Sequence, residues 1–241
     1  MRPEPILDVA EDAADLAARA AAFIAAAAAA SKRPFALCLS GGSTPRDVYA
    51  RLAAPPLAEA LDWGKVHLFW GDERFVPADD PKSNFRMARE ALIDHVPIPA
   101  GNVHPVDVCA PDPETAARRY ERDLFGFHGA QGRDDPDRPL FGVTLLGLGT
   151  DGHTASLFPG SPALDVKDRL AAAVVGAMPE PRVTLTFRAL AASAETAFLV
   201  SGASKQEMLR RLLEGDDRLP AARIAPQGTL RIFADRAAFP L

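Results

Sequence analysis

Cysteine is scarce in this chain: there are two, Cys38 and Cys109, far apart and with no CxxC pair. That excludes a disulfide framework and a thiolate zinc site, and Cys38, inside an apolar run, has the setting of a buried thiol. Blocks of positive charge are also missing. With 27 Lys and Arg against 32 Asp and Glu, the net charge is −5, which argues against nucleic acid as the main partner but leaves room for a small positive pocket holding an anionic metabolite. No GxxxxGK[ST] occurs, and no G-x-S-x-G elbow, so neither a Walker-type ATP loop nor an exposed serine nucleophile is supported. The alanine-rich run at residues 20–30 is too short to span a bilayer, and Glu4, Asp8, Glu11, Asp12 and Asp15 precede it where a secretory leader carries positive charge. It predicts a soluble helix, and hence a cytoplasmic protein with no membrane partner.

What is present is an alternation of strand and helix patterns. Residues 8–30 read as a helix whose alanines lower its entropic cost and whose Asp8 or Asp12 suits the helix dipole. Apolar strands follow at 35–39 and 66–70, the first running into a glycine loop and a helix with Thr44 as N-cap and Pro45 at its first position. Further helices are predicted around 57–61, 85–93, 113–125 and from 201 through 212, with a turn or short helix at 189–192. Further strands are predicted at 103–106, 141–146, 169–175, 183–187, 197–200 and 229–233. Residues 71–84 form a long polar connection of the kind that is either functional or disordered, and residues 129–139, with their Gly, Asp, Arg and Pro, read as a mobile surface loop. The alternation predicts one α/β domain over residues 1–241, a mostly parallel, Rossmann-like central sheet with helices on both faces.

Chemistry concentrates in the loops after the strands. Leu145-Leu-Gly-Leu-Gly-Thr-Asp-Gly-His-Thr-Ala-Ser-Leu-Phe-Pro159 follows a buried strand, so Asp151 and His153 fall past its C-terminal end, where open sheets bind ligands. Gly147, Gly149 and Gly152 allow positive φ and free N–H groups, and the Asp-Gly-His spacing lets the carboxylate orient the imidazole. Ser40-Gly41-Gly42-Ser43-Thr44, between a strand and a helix start, turns N–H groups and hydroxyls toward an anion, most naturally a phosphate. This loop lacks the GxGxxG dinucleotide fingerprint. Asp72, Glu73 and Arg74 offer two carboxylates and a guanidinium; the carboxylates suit an acid–base pair or a divalent metal, but further ligands are missing, and Arg74 facing a substrate oxygen is the preferred reading. Lys205, in a second strand-to-helix loop, and Arg182, at a strand start, are ordinary cations alone and a phosphate grip together. His67, His95, His104 and His128 have structural or exposed settings.

Taken together, Leu39-Ser-Gly-Gly-Ser-Thr-Pro45, Trp70-Gly-Asp-Glu-Arg-Phe-Val-Pro77 with Ser83-Asn84, Gly147 through Pro159, Arg182-Val-Thr-Leu-Thr186 and Gly202-Ala-Ser-Lys205 resemble the 6-phosphogluconolactonase family in order and spacing over nearly the whole chain. The resemblance implies the fold of glucosamine-6-phosphate deaminases and ribose-5-phosphate isomerases, and hydrolysis of 6-phospho-D-glucono-1,5-lactone to 6-phosphogluconate in the pentose phosphate pathway. It implies no metal or organic cofactor and a small-molecule sugar-phosphate partner; the sequence is silent on oligomeric state, and a monomer is compatible with it. Carried over by position, His153 is the general base with Asp151 beside it, Gly41, Gly42, Ser43 and Thr44 line the sugar-phosphate pocket with Asp72, Arg74 and Gly152, and Arg182 and Lys205 match phosphate-holding cations. The chain departs from the family's pattern at Phe187-Arg-Ala-Leu-Ala191, where Leu-Pro-Ala-Leu-Asn is frequent, and Arg188 there is a rival to Arg182 for the phosphate. A deaminase or isomerase on the same fold, a sugar-phosphate sensor and a nucleotide-binding module are the competing readings; the sensor is disfavoured because the chain has no length to spare for a helix-turn-helix.

Overall fold

In a computed structural model of the chain, residues 3–129 and 138–239 are described. Six strands, β1 (Ile6–Ala10), β2 (Phe35–Leu39), β3 (Val66–Trp70), β5 (Phe141–Leu146), β8 (Ser193–Val200) and β9 (Thr229–Asp235), form one parallel sheet in the order β1-β9-β8-β5-β2-β3. Period-two alternation splits the core between its faces: Leu37 and Leu39 join the cluster under α1 (Ala13–Ala30), α2 (Ser43–Leu52) and α4 (Asn84–Ala91), while Ala36 and Cys38 join that under α5 (Pro113–His128) and α7 (Gln206–Leu213). Cys38 is fully buried, which pushes its thiol well above the usual range, and Cys109 is exposed; both are free. The short helices α3 (Leu57–Ala60) and α6 (Phe187–Ala191) complete the α-helices among the described residues, and short 3-10 turns join several of the elements.

Several elements differ from the sequence reading. Residues 6–10 form β1, an edge strand on β9, so Asp8 belongs to a strand and α1 begins after Asp12, whose carboxylate caps Asp15 N–H at 2.9 Å. The alanine run is part of an 18-residue helix that is long and apolar enough to cross a membrane; Leu16, Ala20 and Ile24 are nevertheless buried in the core. In the connection at 71–84, residues 72–74 form β4 (Asp72–Arg74), which joins β7 (Arg182–Leu185) and β6 (Ala171–Val174) in a separate antiparallel sheet. Residues 103–106 contribute a single bridge from Val103 to Leu68. The predicted mobile loop at 129–139 falls largely on 130–137, outside the described residues; Gly129 closes α5 with φ +61°.

This topology fixes where a ligand can enter. From β2 the chain steps to β3 on one side, whereas from β5 it steps to β8 and β9 on the other, so the loops after β2 and β5 diverge and leave a crevice at the carboxyl ends of the sheet.

Candidate active site

A cavity of about 320 Å³ opens in that crevice, lined by the loops after β2, β5 and β8 and by residues of β4, β7 and the start of α4. At the end of β2, Tyr49 Oη accepts Ser40 N–H and donates to Ser40 O, both at 2.8 Å, and so anchors the first residue of the glycine loop. Gly42, at φ +108°, is the N-cap of α2, and the helix starts at Ser43 without a side-chain cap. Thr44, predicted to be that cap, therefore lies inside the first turn. The first-turn N–H groups of a helix have no intrahelical acceptor, Ser43 and Thr44 line the cavity, and the helix dipole favours an anion there.

In the loop after β5, Asp151 Oδ1 lies 2.5 Å from His153 Nδ1 and accepts His153 N–H at 3.1 Å. Burial would raise the Asp151 pKa, but these bonds outweigh it and hold the carboxyl below the usual range. A carboxylate on Nδ1 fixes the tautomer with the lone pair on Nε2, the nitrogen left for the cavity that His153 lines. Phe158 backs the ring at 4.6 Å between centroids. Of the three glycines given for positive φ, only Gly152 has it, at +83°. Gly149 is required for another reason: a Cβ there would lie 2.1 Å from His153 Nδ1. Gly152 N–H is not free but bonded to Gly149 O at 3.1 Å, and neither Gly152 nor Asp151 lines the cavity. The segment from Gly147 to Gly152 has the G-x-G-x-x-G spacing, but it opens no helix, which that fingerprint needs to hold a pyrophosphate.

The second sheet supplies the charge. β4 and β7 pair with Asp72 opposite Thr184 and Arg74 opposite Arg182, so these four side chains share one face and Glu73 points to the other. Asp72 and Glu73 therefore act separately, not as an acid–base or metal-binding pair. Asp72, 6% exposed, accepts Ser156 Oγ at 2.6 Å, with Arg182 Nη1 at 3.7 Å, tying the His153 loop to the sheet. Glu73, 2% exposed, accepts the N–H groups of Arg74, Asn84 and Phe85 at 2.7–2.8 Å and Ser83 Oγ at 3.2 Å. It clamps the start of α4 to β4, although burial raises its pKa against those bonds. Asn84 is thereby set between Asp72 O, 2.9 Å from its Nδ2, and Gly41, where a Cβ would lie 2.1 Å from its Oδ1. Arg74 reaches Lys82 O at 2.6 Å.

Arg74, Arg182, Lys205, Gly41, Gly42, Ser43, Thr44, Asp72 and His153 all line the cavity. Arg188 does not; its Nη1 lies 3.2 Å from Asp168 O, which removes it as a rival to Arg182. Within a chain of net charge −5, three cations against one carboxylate at the cavity wall make a local positive site. Two arginines directly opposite each other repel, and burial together with Arg74 lowers the Arg182 pKa despite Asp72. An anion entering the cavity relieves that repulsion.

A family model described as glucosamine-6-phosphate isomerases/6-phosphogluconolactonase matches residues 9–232. The chain belongs to this family. Among its relatives, a 6-phosphogluconolactonase of Synechocystis sp. is 46% identical over 205 residues, 84% of this chain and 82% of its own length. One from Mycobacterium tuberculosis is 39% identical over 221 residues, 88% and 87% of the two chains. The solved 6-phosphogluconolactonase of Trypanosoma cruzi superposes with a TM-score of 0.86 at 32% identity, covering 99% of this chain and 97% of that one. A monomeric glucosamine-6-phosphate deaminase shares the fold, with a TM-score of 0.80 at 22% identity over 99% and 98% of the chains.

Several residues that shape this family member's site carry no separate signal in its sequence. Asn84, Ser156, Ser201 and Tyr49 are short or common polar side chains, and their partners at the site lie 12, 84, 34 and 9 residues away. Asn84 and Ser156 stood inside quoted motifs, but without a role of their own.

Proposed function

We propose that the chain, acting as one domain over residues 1–241, hydrolyses 6-phospho-D-glucono-1,5-lactone to 6-phospho-D-gluconate, with His153 as general base. The observation that carries this is the pairing of an Asp151-oriented imidazole with a cavity wall bearing Arg74, Arg182 and Lys205. About 320 Å³ is at the small end of ligand sites, which run from roughly 300 to 1,000 Å³, and suits a hexose phosphate better than a dinucleotide.

In this reading His153 Nε2 takes a proton from a water as its oxygen attacks the lactone carbonyl. Charge developing on the carbonyl oxygen meets Arg74 or loop N–H groups, and the ring C–O bond then breaks while His153 returns the proton to the leaving oxygen. The lactone is an activated ester, so fixing the phosphate with Lys205, Arg182 and the α2 N-terminus and placing a water is sufficient chemistry without a covalent intermediate. The names of the relatives support the substrate, and a water-soluble sugar phosphate fits a cytoplasmic place of work for the chain.

The test is acid release from freshly made 6-phosphogluconolactone against its spontaneous hydrolysis, with unphosphorylated gluconolactone in parallel. Acceleration confined to the phosphorylated lactone is the expected result; equal rates on both would remove the phosphate anchor. Ammonia release from glucosamine 6-phosphate would favour the deaminase reading.

A further inference from the structure

The loop carrying Lys205 is held by a carboxylate from a distant part of the chain. Asp235, the last residue of β9, is 4% exposed and has no cation within ion-pair distance among the described residues. A buried carboxylate is costly unless its lone pairs find donors. Here they do: Oδ2 accepts Ser201 Oγ at 2.5 Å, and Oδ1 accepts Gly202 N–H at 3.0 Å and Ala238 N–H at 2.7 Å. Gly202 lies at φ +94°, a turn that disfavours any side chain, and the chain then makes a single 3-10 turn in which Lys205 N–H bonds to Gly202 O at 3.0 Å. One carboxylate thus fixes Gly202 through its N–H, and the carbonyl of the same residue accepts the N–H of Lys205.

Lys205 closes the three-residue turn and is also the N-cap of α7, so the helix holds its backbone from the other side; its flexible four-carbon stem does not by itself hold the ammonium at one place in the cavity. Displacement of a binding group by about 1 Å costs up to roughly 100-fold in a well-oriented site.

We propose that Asp235 is a positioning residue for the substrate's phosphate, acting through the Ser201–Gly202 turn on Lys205. The inference rests on the reading of Lys205 as a phosphate-holding cation. Asp235 itself touches no substrate, so its signature is a dependence on the phosphate group and on Lys205.

The experiment is a double-mutant cycle with Asp235→Ala and Lys205→Ala, assayed on 6-phosphogluconolactone and on gluconolactone. Asp235→Ala is expected to raise KM for the phosphorylated lactone roughly tenfold, the order of one charge-assisted contact, with kcat held and the rate on gluconolactone unchanged. In the Lys205→Ala background it adds nothing. Asp235→Asn, which keeps an oxygen for the two N–H groups and turns its amide to the Ser201 hydroxyl, restores the KM. Should Asp235→Ala not fold, Asp235→Ser, too short to span Ser201 and Gly202 together, is read in the same way. Equal losses on both lactones, or additive losses in the double mutant, overturn the proposal. If Lys205→Ala raises KM and Asp235→Ala does not, positioning alone fails; if Lys205→Ala leaves KM unmoved, the phosphate role of Lys205 fails and takes this proposal with it.

Discussion

At His153, Asp151 occupies Nδ1 at 2.5 Å, and the proposed general-base role requires the lone pair on Nε2. His153→Ala is expected to lower kcat by about 10²–10⁴ with the fold intact, as measured by initial rates beside a thermal melt. Asp151→Asn, which can present an amide to Nδ1 and favour the wrong tautomer, is expected to lower kcat while KM stays near its original value. Gly149→Ala discriminates close approach from backbone conformation. Its φ is not positive, so the substitution carries no backbone strain there; a Cβ 2.1 Å from His153 Nδ1 must instead push the ring off Asp151. Loss of kcat with an unchanged melting temperature is the outcome that supports this.

Among the elements, β4 is the one whose two faces do different work. Its pairing with β7 sends Asp72 and Arg74 to the cavity and Glu73 to the start of α4. Glu73→Ala would strand buried N–H donors at the head of α4, a loss of about 2 kcal/mol or more. For a chain of this size that is roughly 4–8 °C in Tm, measurable by calorimetry. Activity should fall too, because Asn84 and Arg74 lose their common anchor; a lowered Tm with full kcat/KM would show that the clamp does not reach the site. The sequence showed the carboxylates of this segment but not their division of labour. Alternation along a three-residue strand becomes visible only once β7, more than a hundred residues away, supplies the pairing partner.

For the whole molecule, buried histidines away from the cavity make stability depend on pH. His67 and His104 face each other on the β3 side at 3.0 Å between ring nitrogens, and burial, with His67 adding to it, lowers the His104 pKa to about 4. His128 is likewise lowered to about 4, by burial and then by Arg138. Both rings are neutral in the folded chain at a pH where the unfolded chain, with histidine near its ordinary 6.5, binds protons. Stability is therefore complete above about pH 6.5, falls as pH drops toward about 4, and levels off below that with respect to these groups. Melting temperatures across this range should show a shallower fall in His104→Gln than in the unaltered chain; equal slopes would exclude the histidine pair as a source of acid sensitivity.

The linear chain settled what depends on neighbours in sequence: apolar runs that become β2, β3 and β5 with the predicted bounds, the glycine turns at their ends, and the Asp-Gly-His spacing that puts a carboxylate on an imidazole. It did not settle β1, whose side chains are mostly exposed on a sheet edge and give no burial rhythm, nor the helix cap at Gly42, a residue with no side chain to cap with. Tertiary structure alone decided the second sheet, the opposition of Arg74 to Arg182, and the buried acceptors at Asp72, Glu73 and Asp235. Each of these contacts joins segments far apart along the chain, and a polar side chain acquires its role from the donor or charge that folding carries to it.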